Sequence, residues 1–468
     1  MRKFFVIACF GFIIPVAAQE SYSLQQCIEV ALQNNLSVKS AELALQSTEL
    51  DLKTSKASVL PSVNAFANHN YNWGQRIDPF TNQFANTRVQ SNSFGISSSV
   101  DLFNGFRNQQ NTLARQAAYD AGEYDLEAQK NQLKLDVTAA YIGVLLADDV
   151  ERAAREQVRV SSLQLERIKK LVEAGSVNVG AQYDLEAQLA SENAQLVARQ
   201  NEKRLAMLRL KQLMLLDDDT EIQLEKPASV EIEEVPMESA STVYSSALQS
   251  MPEIKSAQLS IIQWEKQINV ARSGRYPSLS LSGSIGTGYS GLRTRVVDVV
   301  QSGSEPIGQT ASGELVYVPV YDTEMERVPF STQLNDNFNQ FVGLSLSVPI
   351  FNRFQVSNNV AKTRINRSLA ELELEQRKQQ LRQRIESAHA DALAARLAYE
   401  SSVKATAAAE RALAFATARF EAGALNVTDY NIAKANYLQA QIAESRAKFD
   451  ALYKRKLLEF YMGLPLEL

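Results

Sequence analysis

NGFRNQQNTLARQAAYDAGEYDLEAQKNQLKLDVTAAYIGVLLADDVERAAREQVRVSSLQLERIKKLV, residues Asn104–Val172, contains no proline and runs into Glu173-Ala174-Gly175. Two lines of apolar or small residues recur along it every seven positions: Leu133, Ala140, Ala147, Ala154, Ser161, Ile168, and Val137, Val144, Val158, Leu165, Val172, the second broken only by Glu151. A seven-residue period held over several heptads keeps one seam on a partner only if the helices supercoil. The stretch therefore predicts one long coiled-coil helix of roughly 100 Å at ~1.5 Å per residue, several times the ~30 Å apolar core of a bilayer. A second such rod carries Ile385, Ala392, Tyr399, Thr406, Leu413 and Phe420 at the same interval and ends at Glu421-Ala422-Gly423.

Around the rods the composition excludes more than it assigns. At 468 residues, length alone suggests two or three globular domains, but two long rods point to an extended, mainly α architecture. The net charge of −5 gives no nucleic-acid signal. His69 and His389 lie far apart, and Cys9 and Cys27 are the only cysteines, so no metal-ligand cluster is expected. No GxxxxGK[ST], HExxH or GxSxG occurs, which leaves the common enzyme classes and their cofactors without support. Arg2 and Lys3, the apolar run Phe4–Ile14 and Val16-Ala17-Ala18 form a secretory signal over residues 1–18, cleaved after Ala18. Neither cysteine then stands where a lipid anchor attaches, and the mature chain keeps one thiol. Beyond the signal no run of ~18 apolar residues occurs, so a membrane role cannot use transmembrane helices.

The chain repeats itself. Ala31-Leu32-Gln33 and Val38-Lys39-Ser40-Ala41, in a first helix read as reaching about Ala57, return as Ala247-Leu248-Gln249 and Ile254-Lys255-Ser256-Ala257 at one constant offset, which Pro61-Ser62 and Pro277-Ser278 share. Phe103-Asn104 and Phe106 return as Phe351-Asn352 and Phe354, and Glu173-Ala174-Gly175 as Glu421-Ala422-Gly423, at a second, longer offset that is again constant. This is a tandem duplication: a first repeat at 19–216, an acidic, nonhelical linker at 217–240 and a second repeat at 241–468. The change of offset puts additional chain between Pro277 and Val348, in a long external connection at 290–336 whose Val316-Tyr317-Val318-Pro319-Val320 reads as part of its own hairpin.

Between each first helix and its rod the period becomes two. Val63, Ala65, Ala67, His69, Tyr71 and Trp73 alternate with Ser62, Asn64, Asn68, Asn70 and Asn72, Phe66 being the exception; Phe94, Ile96, Val100 and Leu102 alternate with Ser93, Ser97, Ser99 and Asp101. In the second copy Leu279, Leu281 and Ile285, then Val342, Leu344, Leu346, Val348 and Ile350, alternate with serines and glycines. Four strands follow, each with an apolar and a hydroxyl- or amide-rich face. The pattern fits two soluble hairpins half-buried on a helical body, or membrane-spanning strands with the aromatics Tyr71, Trp73 and Tyr289 at an interface. The signal and the rods favour the second. A sheet in lipid must close, and four strands are too few when membrane barrels start at about eight, so several copies must pool their strands.

The rods end in matching turns, Glu173–Val179 and Glu421–Val427, whose glycines fit left-handed helix caps; Ala187–Leu215 and Ala433–Tyr461 read as antiparallel return helices. The order helix, two strands, rod, turn, return helix, all twice, together with Ser23-Leu24, Ala31-Leu32-Gln33-Asn34-Asn35, the joints Leu102-Phe103-Asn104 and Ile350-Phe351-Asn352 and the tip Phe420-x-x-Gly423-x-x-x-x-Thr428-Asp429-x-x-x-Ala433, resembles the TolC-like outer membrane efflux protein family. The resemblance covers essentially the whole mature chain. It implies a fold that is mainly α with membrane β: a tandem-repeat protomer with long coiled-coil helices and four transmembrane strands, a homotrimer sharing one twelve-stranded β-barrel in the outer-membrane lipid of a Gram-negative cell, and an α-helical periplasmic tunnel.

By the same resemblance the protein is a passive exit duct, not an enzyme, served by an inner-membrane pump of RND or ABC type and a periplasmic adaptor (membrane fusion) protein. Gly175, Val177, Asn178, Val179 and Gly423, Leu425, Asn426, Val427, Thr428 match the adaptor-docking tips. Asp429 matches a carboxylate ring at the periplasmic aperture, which inward-coiled helices close. The sequence departs from the family where Ile432 replaces a second aperture carboxylate, where Ala181 is the first-copy counterpart of Asp429, and where Leu425 replaces a gate-locking arginine of some members; apolar packing by Leu425 and Ile432 then takes the place of a polar lock. A duct of a type I protein secretion system is an alternative, and a secreted coiled-coil structural or adhesin protein is another.

Overall fold

The computed structural model describes residues 21–78, 80–86, 88–220, 222–226 and 238–466. The expected signal at 1–18, with Cys9, and most of the acidic linker lie outside the described residues. A two-residue strand β1 (Ser21–Tyr22) leads into α1 (Leu24–Asn34) and α2 (Leu36–Ala57). Then come β2 (Ser62–Asn72), a short hairpin of β3 (Arg76–Ile77) and β4 (Phe84–Ala85), β5 (Val89–Phe103), α3 (Arg107–Glu173), α4 (Val179–Met214) and β6 (Gln223–Leu224). The order starts again with α5 (Ala240–Ser250), α6 (Pro252–Ser273) and β7 (Ser278–Ser290). A long hairpin, β8 (Thr294–Gln309) and β9 (Leu315–Arg327), and α7 (Phe330–Asp336) precede β10 (Asn339–Ser347), α8 (Gln355–Glu421) and α9 (Val427–Tyr461).

The duplication is visible in the helix lengths: α1 and α5 each have 11 residues, α2 and α6 each 22, and the two rods, α3 and α8, each 67, while the return helices α4 and α9 have 36 and 35. The extra residues of the second copy are the long hairpin and α7, where the first copy has only β3 and β4. Three expectations are corrected. The first helix is two, because Asn35 is extended at φ −60°, ψ 130°; its Oδ1 accepts from Ser37 N to start α2, while the Asn35 and Asn34 amides donate to Leu213 O and Met214 O at the end of α4. Those carbonyls would otherwise lack partners. Within the linker, read as nonhelical, β6 pairs in parallel with β1. The last strand stops at Ser347, short of Val348 and Ile350. The return helices begin at Val179 and Val427 rather than Ala187 and Ala433, because Asn178 and Asn426 cap them directly.

The described chain divides into two compact units. One comprises residues up to Glu49, Ala117–Ile262 and Ser368 onward; the other comprises Leu50–Gln116 and Gln263–Arg367. In the helical unit the predicted seam is the core: Leu133, Val137, Ala140, Val144, Ala154, Leu165 and Ile168 of α3 and Ile385 and Ala392 of α8 are buried. α3 packs with Cys27 and Ala31 of α1, Leu210 and Met214 of α4 and Phe449 and Leu452 of α9. α8 packs with α5, Ile254 of α6 and Leu458 and Tyr461 of α9. Glu151, the break in the seam, is buried and tolerated because Arg155 Nε donates to it at 3.0 Å and Lys203 Nζ lies 3.6 Å away. Tyr141 Oη donates to Tyr22 O at 3.2 Å and Glu225 O at 2.7 Å, pinning the β1–β6 ladder to α3.

In the other unit β10-β7-β5-β2 form one antiparallel sheet, with a register shift at Leu102. Both strand-to-rod joints use two successive left-handed residues, Gly105 (φ 68°) and Phe106 (63°) in the first repeat and Arg353 (54°) and Phe354 (61°) at the equivalent place in the second. Rings meet edge to face across each joint, Phe103 on Phe106 at 5.3 Å and Phe351 on Phe354 at 5.6 Å. A non-glycine residue is strained there. Only Gly105 also lacks room, since a Cβ would lie 2.7 Å from Ser273 O. Gly105→Ala should therefore lower unfolding stability by ~1–3 kcal/mol, while Arg353→Gly should be neutral or stabilising by ~1 kcal/mol; denaturant unfolding of the two variants checks this, and an equal loss in both would contradict it.

Candidate functional site

The four-stranded sheet sorts its side chains by chemistry. Registers Ala65↔Ile96↔Ile285 and Ala67↔Phe94, with Leu281↔Leu344 and Leu279↔Leu346, place the apolar alternate residues of all four strands on one face. Registers Asn64↔Ser97↔Ser284 and Ser99↔Ser282, with Ser280↔Ser345, place hydroxyls and amides on the other, where Ser62 Oγ meets Ser99 Oγ at 3.2 Å and Asn68 Nδ2 donates to Ser93 Oγ at 3.4 Å. The single charged strand residue on that face is Asp101, near the rods. On the apolar face Val342, Leu344 and Leu346 are 79, 66 and 67% exposed, a contiguous apolar surface of the kind that water disfavours. Rows of aromatics bound it. At the end away from the rods Tyr71 lies 6.3 Å from Trp73 with Arg88 over its ring at 4.9 Å, and Tyr289 packs 5.2 Å from Phe330. At the rod end stand Phe103, Phe106, Phe351 and Phe354, a second row that the sequence reading marked only as joints.

The sheet also has two open edges. β2 and β10 each pair on one side alone, so each leaves a row of backbone N–H and C=O groups free. Because the strands alternate in direction and number four, a second copy's β2 laid beside β10 runs antiparallel to it, and the pattern continues through any number of copies.

At the far ends of the rods, Gly175 (φ 69°) and Gly423 (φ 73°) are the left-handed caps expected. Ser176 N donates to Leu171 O and Gly175 N to Val172 O at 2.8 and 2.9 Å, and Ala424 N to Arg419 O and Gly423 N to Phe420 O at 2.8 and 3.0 Å, closing both helices with the same doubly bonded turn. The tips come together: Phe420 and Val427 pack on Leu165, Ile168 and Leu185, and Arg167 bonds Glu421 at 2.7 Å. Gly175, Asn178, Val179, Gly423, Asn426 and Thr428 are exposed, Val177 and Leu425 half-buried. Asp429 and Ile432 are exposed one turn apart on α9. Asp429 is also part of the cap, its N donating to Asn426 Oδ1 at 2.7 Å and its Oδ2 accepting from Asn426 Nδ2 at 2.9 Å.

A polar cluster missed by the sequence reading lies further up the rods. Lys434 of α9 and Glu192 of α4 are both buried, with Nζ 3.5 Å from Oε1. Ser161 of α3 bonds both, and Gln157 and Gln188 donate to Glu192 at 3.0 and 2.9 Å. Burial pushes the Lys434 ammonium below the usual lysine range, and Glu192 counters that. Ser161 on the apolar line was the one signal of it. Removing one charge alone, Glu192→Gln or Lys434→Met, should destabilise the helical unit by ~3–5 kcal/mol, whereas the double change Glu192→Leu with Lys434→Met should be close to neutral; thermal unfolding distinguishes these, and additive losses would contradict the coupling.

Cys27 is fully buried and burial pushes its thiol up to about 12, which leaves it unreactive. Among the described residues no His, Cys, Asp and Glu gather as a metal site, and no helix is long and apolar enough to cross a membrane.

Residues 27–214 and 243–464 match the family model of outer membrane efflux proteins, one match per repeat. Cation efflux system protein CusC of Escherichia coli O157:H7 is 25% identical over 265 residues, covering 57% of this chain and 55% of CusC. Pyoverdine export outer membrane protein OpmQ of Pseudomonas aeruginosa is 26% identical over an alignment covering 57% of this chain and 56% of OpmQ. The chain thus spans little more than half the length of these relatives. In fold the agreement is fuller: a CusC crystal structure superposes at a TM-score of 0.73 with 19% identity, covering 94% of this chain and 92% of that one, and VceC of Vibrio cholerae at 0.71 with 17% identity, covering 95 and 97%.

Proposed function

The chain belongs to the outer membrane efflux protein family, and from that premise we propose that it is the passive outer-membrane channel of a tripartite efflux system, exporting small molecules. The observation that carries this reading is the sheet: two chemically opposite faces and two unpaired edges. In lipid no free edge is tolerated, so the sheet closes with other copies, apolar face and aromatic rows outward, hydroxyl face around water. Three copies give twelve strands, and the helical units form the tunnel wall in the periplasm. A head-to-tail interface that closes into a ring is what such an edge-to-edge contact generates.

The sequence carries no GxxxxGK[ST] nucleotide-binding loop, and in this reading a pump in the inner membrane and an adaptor in the periplasm complete the system. The tips, where Gly175, Asn178, Val179, Gly423, Asn426 and Thr428 are exposed, offer small and polar residues to the adaptor. Asp429 and its copies form a ring that attracts cations at the aperture, beside the apolar Ile432 and Leu425. Cation efflux and pyoverdine export name two relatives of nearly equal identity, which supports leaving the choice of cargo to the pump. The β8–β9 hairpin, exposed along nearly its whole length, stands over the outer mouth.

Purified protein in planar lipid bilayers should give discrete, cation-selective channels. Asp429→Ala should lose the selectivity while keeping the channels, and removal of Thr294–Arg327 should raise solute flux. Absence of channels from the wild-type protein contradicts the pore; unchanged selectivity in Asp429→Ala contradicts the ring.

A further inference from the structure

We propose that Phe80 narrows the pore at its outer end and sets the size of what can enter from outside, a role that rests on reading the hydroxyl face as the pore wall. Gly288 belongs to that face, in register with Ser93. A side chain there would meet Phe80 at once, because a Cβ on Gly288 would lie 2.0 Å from Phe80 Cζ and 2.2 Å from Cε1. The phenyl ring thus occupies the space of a wall side chain although it comes from the β3–β4 turn, a separate part of the chain. An apolar ring laid on a wall of serines and asparagines is not explained by burial in a core, for Phe80 stays partly exposed.

The turn that delivers the ring is built to hold it. Asp78 is completely buried. Its Oδ1 accepts from Phe80 N at 3.0 Å, Thr81 N at 2.8 Å and Thr81 Oγ1 at 3.1 Å, and its Oδ2 from Ser290 Oγ at 2.6 Å. Ser290 is fixed in turn: its N donates to Gln333 Oε1 at 2.9 Å, and Gln333 Nε2 donates to Ser290 O at 3.0 Å and Val328 O at 2.9 Å. Backbone bonds from Asp78 N to Gln83 O and from Asn82 N to Asp78 O close the loop. A buried carboxylate with four donors is a costly arrangement to leave half-satisfied, so the first repeat's turn is anchored to the end of β7 and to α7 of the second. α7 itself lies on the opposite, apolar face, where Phe330 packs on Phe94 and Tyr289, which leaves the wall face to Phe80.

The test reads access from outside in intact cells expressing the full chain, whose Cys27 is buried. A cysteine at Ser97, on the wall face four residues deeper than Ser93, is labelled with a small maleimide and with a bulky maleimide–poly(ethylene glycol) added externally; a cysteine at Ser98, on the other face, is the control. With Phe80 present the bulky reagent should react slowly at Ser97→Cys. Phe80→Ala should speed it several-fold while the small reagent reacts equally in both. The same bulky-reagent rate with and without Phe80, while Ser97→Cys still labels and Ser98→Cys does not, overturns the constriction and leaves the pore standing. Equal labelling at Ser97→Cys and Ser98→Cys overturns the pore wall itself.

Discussion

The whole structure turns on backbone hydrogen-bonding groups that one copy cannot satisfy. β2 and β10 bound a sheet of four strands, and each presents an unpaired row of N–H and C=O groups. In water such an edge is a hazard that proteins usually blunt with charge, proline or a covering loop. Here β2 and β10 carry neither charged residues nor proline between Ser62–Asn72 and Asn339–Ser347, so both edges remain ready to pair. In hydrocarbon, where each unpaired group costs several kcal/mol, association is a condition of insertion. The alternation of side chains then fixes which face meets lipid, because a one-residue slip in any strand would exchange the two faces.

The helical unit meets a different requirement. Rods with small residues, Ala140, Ala154, Ala388 and Ala392, on their buried faces let helices approach closely, and Cys27, Ala31, Leu210 and Met214 fill the space between them. Two clusters of buried charge interrupt the apolar packing, and each is paired. Glu151 is met by Arg155 and Lys203, and Glu192 by Lys434 and Ser161. The second joins α3 and α4 of the first repeat to α9 of the second, and with the Arg167–Glu421 pair it ties the two repeats together toward the tips. Apolar seam residues alone would let these helices slide by a heptad; buried pairs at single positions fix their register.

Much of this was legible in the sequence because the signals were periodic. A seven-residue line identified the rods, alternation identified the four strands and their two faces, and matches held at constant offsets, such as Ala31 with Ala247 and Gly175 with Gly423, identified the duplication. Phe66, one of two strand phenylalanines on the polar face with Phe341, is where the pattern and the structure agree on an exception: its ring covers Gly95, where a Cβ would lie 2.6 Å away. What stayed hidden was aperiodic. Asn35 breaks the first helix because its amide serves the end of α4, a partner 178 residues away. The left-handed pair Arg353-Phe354 carries no glycine, and so gave no local sign of its conformation. Asp78, Ser290 and Gln333 are ordinary surface residue types, buried together only because two distant loops meet. The Leu215 cap, left-handed at φ 52°, is legible in hindsight only through its second-repeat counterpart Gly463, left-handed at φ 85°.

Amide hydrogen exchange on the assembled protein in mild detergent tests the edge pairing most directly. If copies join β2 to β10, the outward-facing amides of Ser62–Asn72 and Asn339–Ser347 exchange as slowly as those of β5 in the middle of the sheet. Fast exchange along both edge strands, with β5 and β7 protected, would contradict a closed wall and leave four strands standing alone.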